Sequence, residues 1–229
     1  MSENQLGTSS IVEKHVDQME LIATTFIVPA LIVLLAAAGV TKGFDVLGLH
    51  LDTDNAYGVV VAIFDCLLLL FTITGWKAGD FLKMCPESEA GRAIAAVLTH
   101  KWFLNPFCYS GRGVASAVTC GVGSGLLIMI WCIGLCSLQL LSTVTHGRGG
   151  VEKVLFALYL IFGVTSALGI VRLFRLILQR IDRAEDTSDE FVPLTVSDIK
   201  LNIVLKSAFA VTAIIVGFWL YYSFAHIGI

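Results

Sequence analysis

Asp65 is the residue of this chain with the clearest capacity for chemistry. It is the one acid in the apolar run 57–76, YGVVVAIFDCLLLLFTITGW. An ionised carboxylate in such surroundings is costly and persists only when it is paired, neutralised or in contact with water. No Lys, Arg or His falls at matching depth in another apolar run of the chain. With desolvation and no cation, the protonated acid is the expected form. Gly58, Ala62 and Thr72 share its helical face, and the neighbours expected at its depth are Cys132, Thr165, Ser166 and Thr212. Three roles are open to it: a hydrogen bond between helices, a charge pair with a basic residue of another subunit, or a proton or ion site.

The remaining reactive side chains point away from catalysis. Six cysteines are present, at positions 66, 85, 108, 120, 132 and 136. None falls in an expected outside loop, so no structural disulfide is predicted. Cys132 and Cys136 stand one turn apart without the spacing of a redox or metal motif, and their expected role is packing. Of the five histidines, His15, His50, His100, His146 and His226, none lies deep in an apolar run. That pattern argues against paired histidines on a haem. Walker A, HExxH and nucleophile-elbow motifs are absent. The sequence therefore predicts no enzyme, no cofactor and no metal.

Residues of these kinds need an apolar framework to position them, and the composition supplies one. Hydrophobic residues make up 56% of the 229 and charged residues 14%, against roughly 25% charged in a soluble domain. A formal net charge of −3 argues against nucleic acid as a partner, because such partners select basic surfaces. A helix that crosses a bilayer needs about 20 mostly apolar residues. Five runs qualify: 21–40, 57–76, 114–144, 154–178 and 203–224. Lipid leaves backbone groups no outside partner, which selects helices for such runs. The prediction is an all-α integral membrane protein. It is a single domain over 1–229, a polytopic bundle of about five transmembrane helices with a short amphipathic cytoplasmic helix. Pro29 is expected to kink the first run, with Thr24 and Thr25 satisfying freed carbonyls.

The basic residues set an orientation. Lys14 lies in the tail, Lys77, Lys83, Arg92, Lys101 and Arg112 in or beside the loop 77–112, and most of the rest around the loop 180–202; only Lys42, Arg148 and Lys153 fall on the other side. The positive-inside rule places the amino terminus in the cytoplasm and the carboxyl terminus outside, in a cell (inner) membrane. The tail lacks the basic n-region of a cleavable signal, so none is expected. Within 77–112, Pro86-Glu87-Ser88-Glu89 reads as a helix start, followed by a partial apolar face with Ile94, Val97 and Leu98. The preferred reading lays this helix on the inner interface with Trp102 and Phe103 as anchors. The competing one packs it on the cytoplasmic end of the bundle. The fourth run is expected to continue as helix past the membrane, with Arg172 and Arg175 reaching lipid headgroups.

Small residues indicate where helices meet. Gly113, Ala117, Gly121 and Gly125 recur every four residues, and Gly163 with Ala167 repeats the pattern in the next run. In lipid, helices associate where backbones approach closely, so these two runs are expected to pack on each other. The expected partners are the lipid bilayer and either other membrane-protein subunits or further copies of this chain. The expected function is that of a non-catalytic integral subunit of a larger membrane complex, of the kind found in secretion, conjugation or respiratory machinery. The alternative is an oligomeric channel or transporter with Asp65 as its proton or ion site.

Overall fold

The computed structural model describes residues 8–40, 43–52, 56–101, 104–107, 114–144, 150–186 and 214. The order of elements is α1 (Thr8–Ala37), β1 (Gly43–Val46), β2 (Leu49–Asp52), α2 (Tyr57–Met84), α3 (Glu87–Leu98), α4 (Val114–Val144) and α5 (Gly150–Asp186). The described chain is mostly helical. Four of its helices are long and apolar enough to cross a membrane, over Ser10–Ala37, Tyr57–Met84, Gly121–Ser142 and Lys153–Arg180. They coincide with the first four predicted runs. The fifth run, 203–224, lies outside the described residues apart from Ile214.

Helix α1 begins well before its apolar run, and one seam accounts for its length. Val12, Val16, Met19, Ala23, Phe26, Ala30, Val33 and Ala37 are all buried. They alternate spacings of four and three residues, the repeat that keeps one helical stripe facing a partner. The early part of the seam belongs to a core with Ala78, Leu82, Ala93, Val97 and Leu173. The later part belongs to a second core with Val60, Phe64, Leu138, Leu141 and Tyr159. Ile130 packs against both cores. Pro29 frees the Thr25 carbonyl, but the nearby hydroxyls go elsewhere: Thr24 donates to the Glu20 carbonyl at 2.8 Å and Thr25 to the Leu21 carbonyl at 2.7 Å. The expected rescue of the proline site by these threonines is therefore not made.

A short β-hairpin occupies the stretch between the first two apolar runs. Its turn is Leu47-Gly48, at φ of 51° and 81°, and Val46 pairs with Leu49 across it. Two positive φ values in a two-residue turn match the twist of the strands, and Leu in the left-handed region carries a steric cost of about 1–2 kcal/mol. Phe44 and Val46 are buried in the second core, which secures the hairpin to the bundle.

Helix α3 is amphipathic, as predicted, but its apolar face does not lie open. Ala93 and Val97 are fully buried and Ile94 and Leu98 nearly so, in one core with Val12, Val16 and Met19 of α1. The competing reading, a helix packed on the end of the bundle, is the one found. The extension of α1 presents apolar side chains that need a cover, and α3 supplies it. Trp102 and Phe103 lie outside the described residues. Asn105 fixes the chain that follows: it is fully buried, its Nδ2 donates to the Val97 carbonyl at 2.8 Å, and its Oδ1 accepts from the Phe107 amide at 2.9 Å.

The most extensive pairing is α5 on α2, and α4 runs chiefly along α1. A close backbone crossing of α4 with α5 was expected from the small-residue stripes. Among the described residues it is not found, and the two helices meet through large side chains instead. At the far end of α2, Arg180 donates to the carbonyls of Lys83 at 2.8 Å and Cys85 at 3.1 Å. A cation there complements the orphan carbonyls and negative end of a helix. Beside this cap the Cys85 thiol is pushed up by burial, with Glu89 adding to the shift and Arg180 opposing it. Helix α5 continues past its apolar part to Asp186, as the sequence predicted.

Candidate functional site

The buried face of α2 carries Val60, Val61, Phe64 and Asp65 in successive turns. Asp65 is 5% exposed, and among the described residues neither carboxyl oxygen has a hydrogen-bond partner. Desolvating such a group without compensation costs roughly 1–3 kcal/mol, more when it is charged. A hydrogen bond between helices, one of the three roles open to Asp65, is made elsewhere. Thr72, two turns further on, meets Ser166 of α5 at 2.6 Å, and its hydroxyl also reaches the Leu68 carbonyl at 2.8 Å. Ser166 is thereby committed to Thr72, and Thr165 bonds carbonyls of its own helix.

An aromatic cluster adjoins Asp65 and brings four helices together. Phe64 packs on Phe26 of α1 with ring centroids 4.7 Å apart, and on Tyr159 of α5 at 6.3 Å. Tyr159 is fully buried and donates to the Trp131 carbonyl of α4 at 3.1 Å. Its ring stacks on the Trp131 indole at 6.3 Å, with planes 6° apart. The indole Nε1 of Trp131 is buried without an acceptor among the described residues.

Two glycines give this cluster its space. A Cβ on Gly163 would overlap the Trp131 indole. A Cβ on Gly134 would overlap the Tyr159 hydroxyl and stand 2.8 Å from the Phe26 ring. Gly163 was expected at a backbone crossing; it instead receives an aromatic side chain. Gly134 belongs to no four-residue repeat, so the sequence pattern passed over it. Gly121 and Gly125 are buried, whereas Ala167 is exposed. Gly113 and the side chain of Ala117 lie outside what is described.

Arg172 and Arg175 diverge. Arg175 is exposed. Arg172 forms an ion pair with Asp80 of α2, and its guanidinium lies 4.6 Å from the centre of the Trp76 ring. The arginine expected at lipid headgroups is thus engaged within the protein. Trp76 in turn rests on Gly169, where a Cβ would meet the indole nitrogen at 3.0 Å.

A third polar group joins elements far apart in sequence. His100, just after α3, donates from Nε2 to Asp17 of α1 at 2.8 Å, and its Nδ1 lies 3.8 Å from Glu20. These residues were not linked in the sequence. Their one legible signal is the spacing of Asp17 and Glu20, which puts both acids on one face of a helix.

No known family model matches the chain, and no curated protein or solved structure is similar enough to it to carry an inference.

Proposed function

We propose that the four long apolar helices cross a membrane together with the run 203–224, and that the protein is a non-catalytic multi-pass component of a larger membrane assembly, with other subunits or further copies of itself. The observation that carries this reading is the outward face of α5. Val154, Ile161, Val164, Leu168 and Val171 are each more than half exposed, on the helix whose opposite face lies along α2. A continuous apolar face of that length would be a liability in water and suits lipid or a partner helix. Native mass measurement in mild detergent tests it. A defined complex, mixed or of identical copies, is the expected result, and a lone monomer under the mildest extraction overturns the assembly reading. Orientation has its own test. Thiol probes placed at Gly147 and after Ile229 should label from outside, and probes at Glu89 and Asp186 should not.

A second reading is favoured by one specific observation: the two unpartnered oxygens of buried Asp65. An acid held in this way suits a proton or ion site in a channel or transporter. Asp65→Asn keeps the shape and removes the proton exchange. A variant that assembles normally and has lost cellular function supports this reading; one that works normally leaves the assembly role in place.

A further inference from the structure

The group formed by Asp17, Glu20 and His100 has a property that its hydrogen bond does not resolve. One atom from each residue converges so that all three lie within 4.8 Å of one another. The His100 side chain is only 10% exposed, while Asp17 is 60% and Glu20 39% exposed. Both ring nitrogens face carboxylates, Nε2 at 2.8 Å and Nδ1 at 3.8 Å. A cation placed among the three would meet two carboxylates and an imidazole nitrogen drawn from two separate elements.

We propose that Asp17, Glu20 and His100 form a divalent-cation site of the zinc type that fastens the amino-terminal extension of α1 to the chain leaving α3. One imidazole nitrogen and two carboxylate oxygens are ligands that Zn²⁺ accepts, with water completing a tetrahedron. Bonds of about 2.1 Å require donor atoms about 3.4 Å apart, so the three atoms, now within 4.8 Å of one another, draw closer on binding. Asp17 and Glu20 occupy one face of α1 directly before Leu21, and His100 arrives from the other side of the joint. The ion would therefore bridge two elements rather than decorate one. The site is independent of Asp65 and of the assembly reading.

Zinc titration of the full-length protein in detergent, against a fluorescent chelator, tests the proposal. Wild type should bind one Zn²⁺ at this site, and its thermal midpoint should rise with Zn²⁺ and return on chelation. His100→Gln keeps a donor toward Asp17 but removes the imidazole, and Glu20→Gln alters an exposed side chain that leaves the core undisturbed. Each should weaken the tightest site by about tenfold or more and abolish the shift in midpoint. His50→Ala serves as the comparison: it removes the exposed His50–Asp45 pair on the hairpin and should leave zinc binding unchanged. Wild-type zinc affinity in both His100→Gln and Glu20→Gln overturns the proposal. So does a wild type whose midpoint ignores Zn²⁺, which would leave a charged hydrogen bond and no metal site.

Discussion

The two hydrophobic cores of this protein hold their polar groups differently. Around α3, Asn105 closes two backbone bonds, Arg180 caps α2 and His100 meets Asp17, while one Glu89 carboxyl oxygen is buried with no hydrogen bond among the described residues. Around Phe64, Asp65 and the indole nitrogen of Trp131 are buried with no hydrogen bond among the described residues. The first core is a joint that polar bonds lock in one geometry. The second is held by shape, through aromatic rings seated over glycines, and keeps Asp65 and the Trp131 indole nitrogen in spite of their cost. A buried group retained without a partner marks where something other than stability is at work.

If shape alone holds the second core, filling its gaps should produce the largest effects. Gly163→Leu and Gly134→Leu each place a side chain where an aromatic ring now sits. Overpacking of this kind costs about 1–3 kcal/mol, or more where nothing can yield. Both variants should lower the thermal midpoint in detergent or fail to accumulate. Gly150→Ala, where an added Cβ meets nothing within 4 Å, should leave it unchanged. Normal stability in both leucine variants would mean that the cluster repacks freely and that shape does not hold this core.

The polar joint should fail in a different way. Asn105→Ala removes both bonds at once and strands the Val97 carbonyl and the Phe107 amide in a fully buried place. Leaving such groups unsatisfied costs roughly 1–3 kcal/mol. The loss should appear as faster amide exchange in α3 and in the segment after it, with the α2–α5 pairing unaffected. Uniform destabilisation would show that the two cores unfold as one unit.

Asp65→Leu draws the contrast from the other side. With no bond to lose, replacing the acid by an apolar group of similar size should leave stability unchanged or raise it by about 1 kcal/mol. That is opposite in sign to Asn105→Ala. A fall as large as that of Asn105→Ala would reveal a partner for Asp65 outside the described residues and would dissolve the comparison.

What the sequence disclosed follows from periodicity and depth. Long apolar runs, the amphipathic face of α3, the continuation of α5 and the burial of Asp65 are all written in residue type and spacing. What it withheld are choices between neighbours. Thr72 and Asp65 share a face, and nothing in their spacing says that Ser166 belongs to Thr72. Gly163 reads as a crossing point because the small-residue pattern is blind to a tryptophan on the facing helix. Leu47-Gly48 gave weak warning of a hairpin, since Leu is a poor turn residue. The joining of His100 to Asp17 spans most of the first half of the chain, and no local signal encodes it.

A modest effect is expected at Arg172, where the contrast is sharpest in kind. Its pair with Asp80 is partly exposed, with side-chain exposures of 32% and 55%, so the ion pair should contribute about 0.2–1 kcal/mol. The contact with the Trp76 ring adds a comparable amount, about 0.5–1 kcal/mol. Salt separates the two, because it screens the ion pair between partly exposed charges more than the short-range contact with the Trp76 ring. Arg172→Lys keeps the charge and loses the planar stack. It should therefore lose about half of what Arg172→Ala loses at low salt, and nearly all of it at high salt. A double-mutant cycle with Asp80→Ala decides between this internal role and the headgroup role that the sequence suggested. Coupling above about 0.3 kcal/mol means that the arginine works within the protein. Strict additivity, with a dependence on anionic lipid, would return Arg172 to the bilayer.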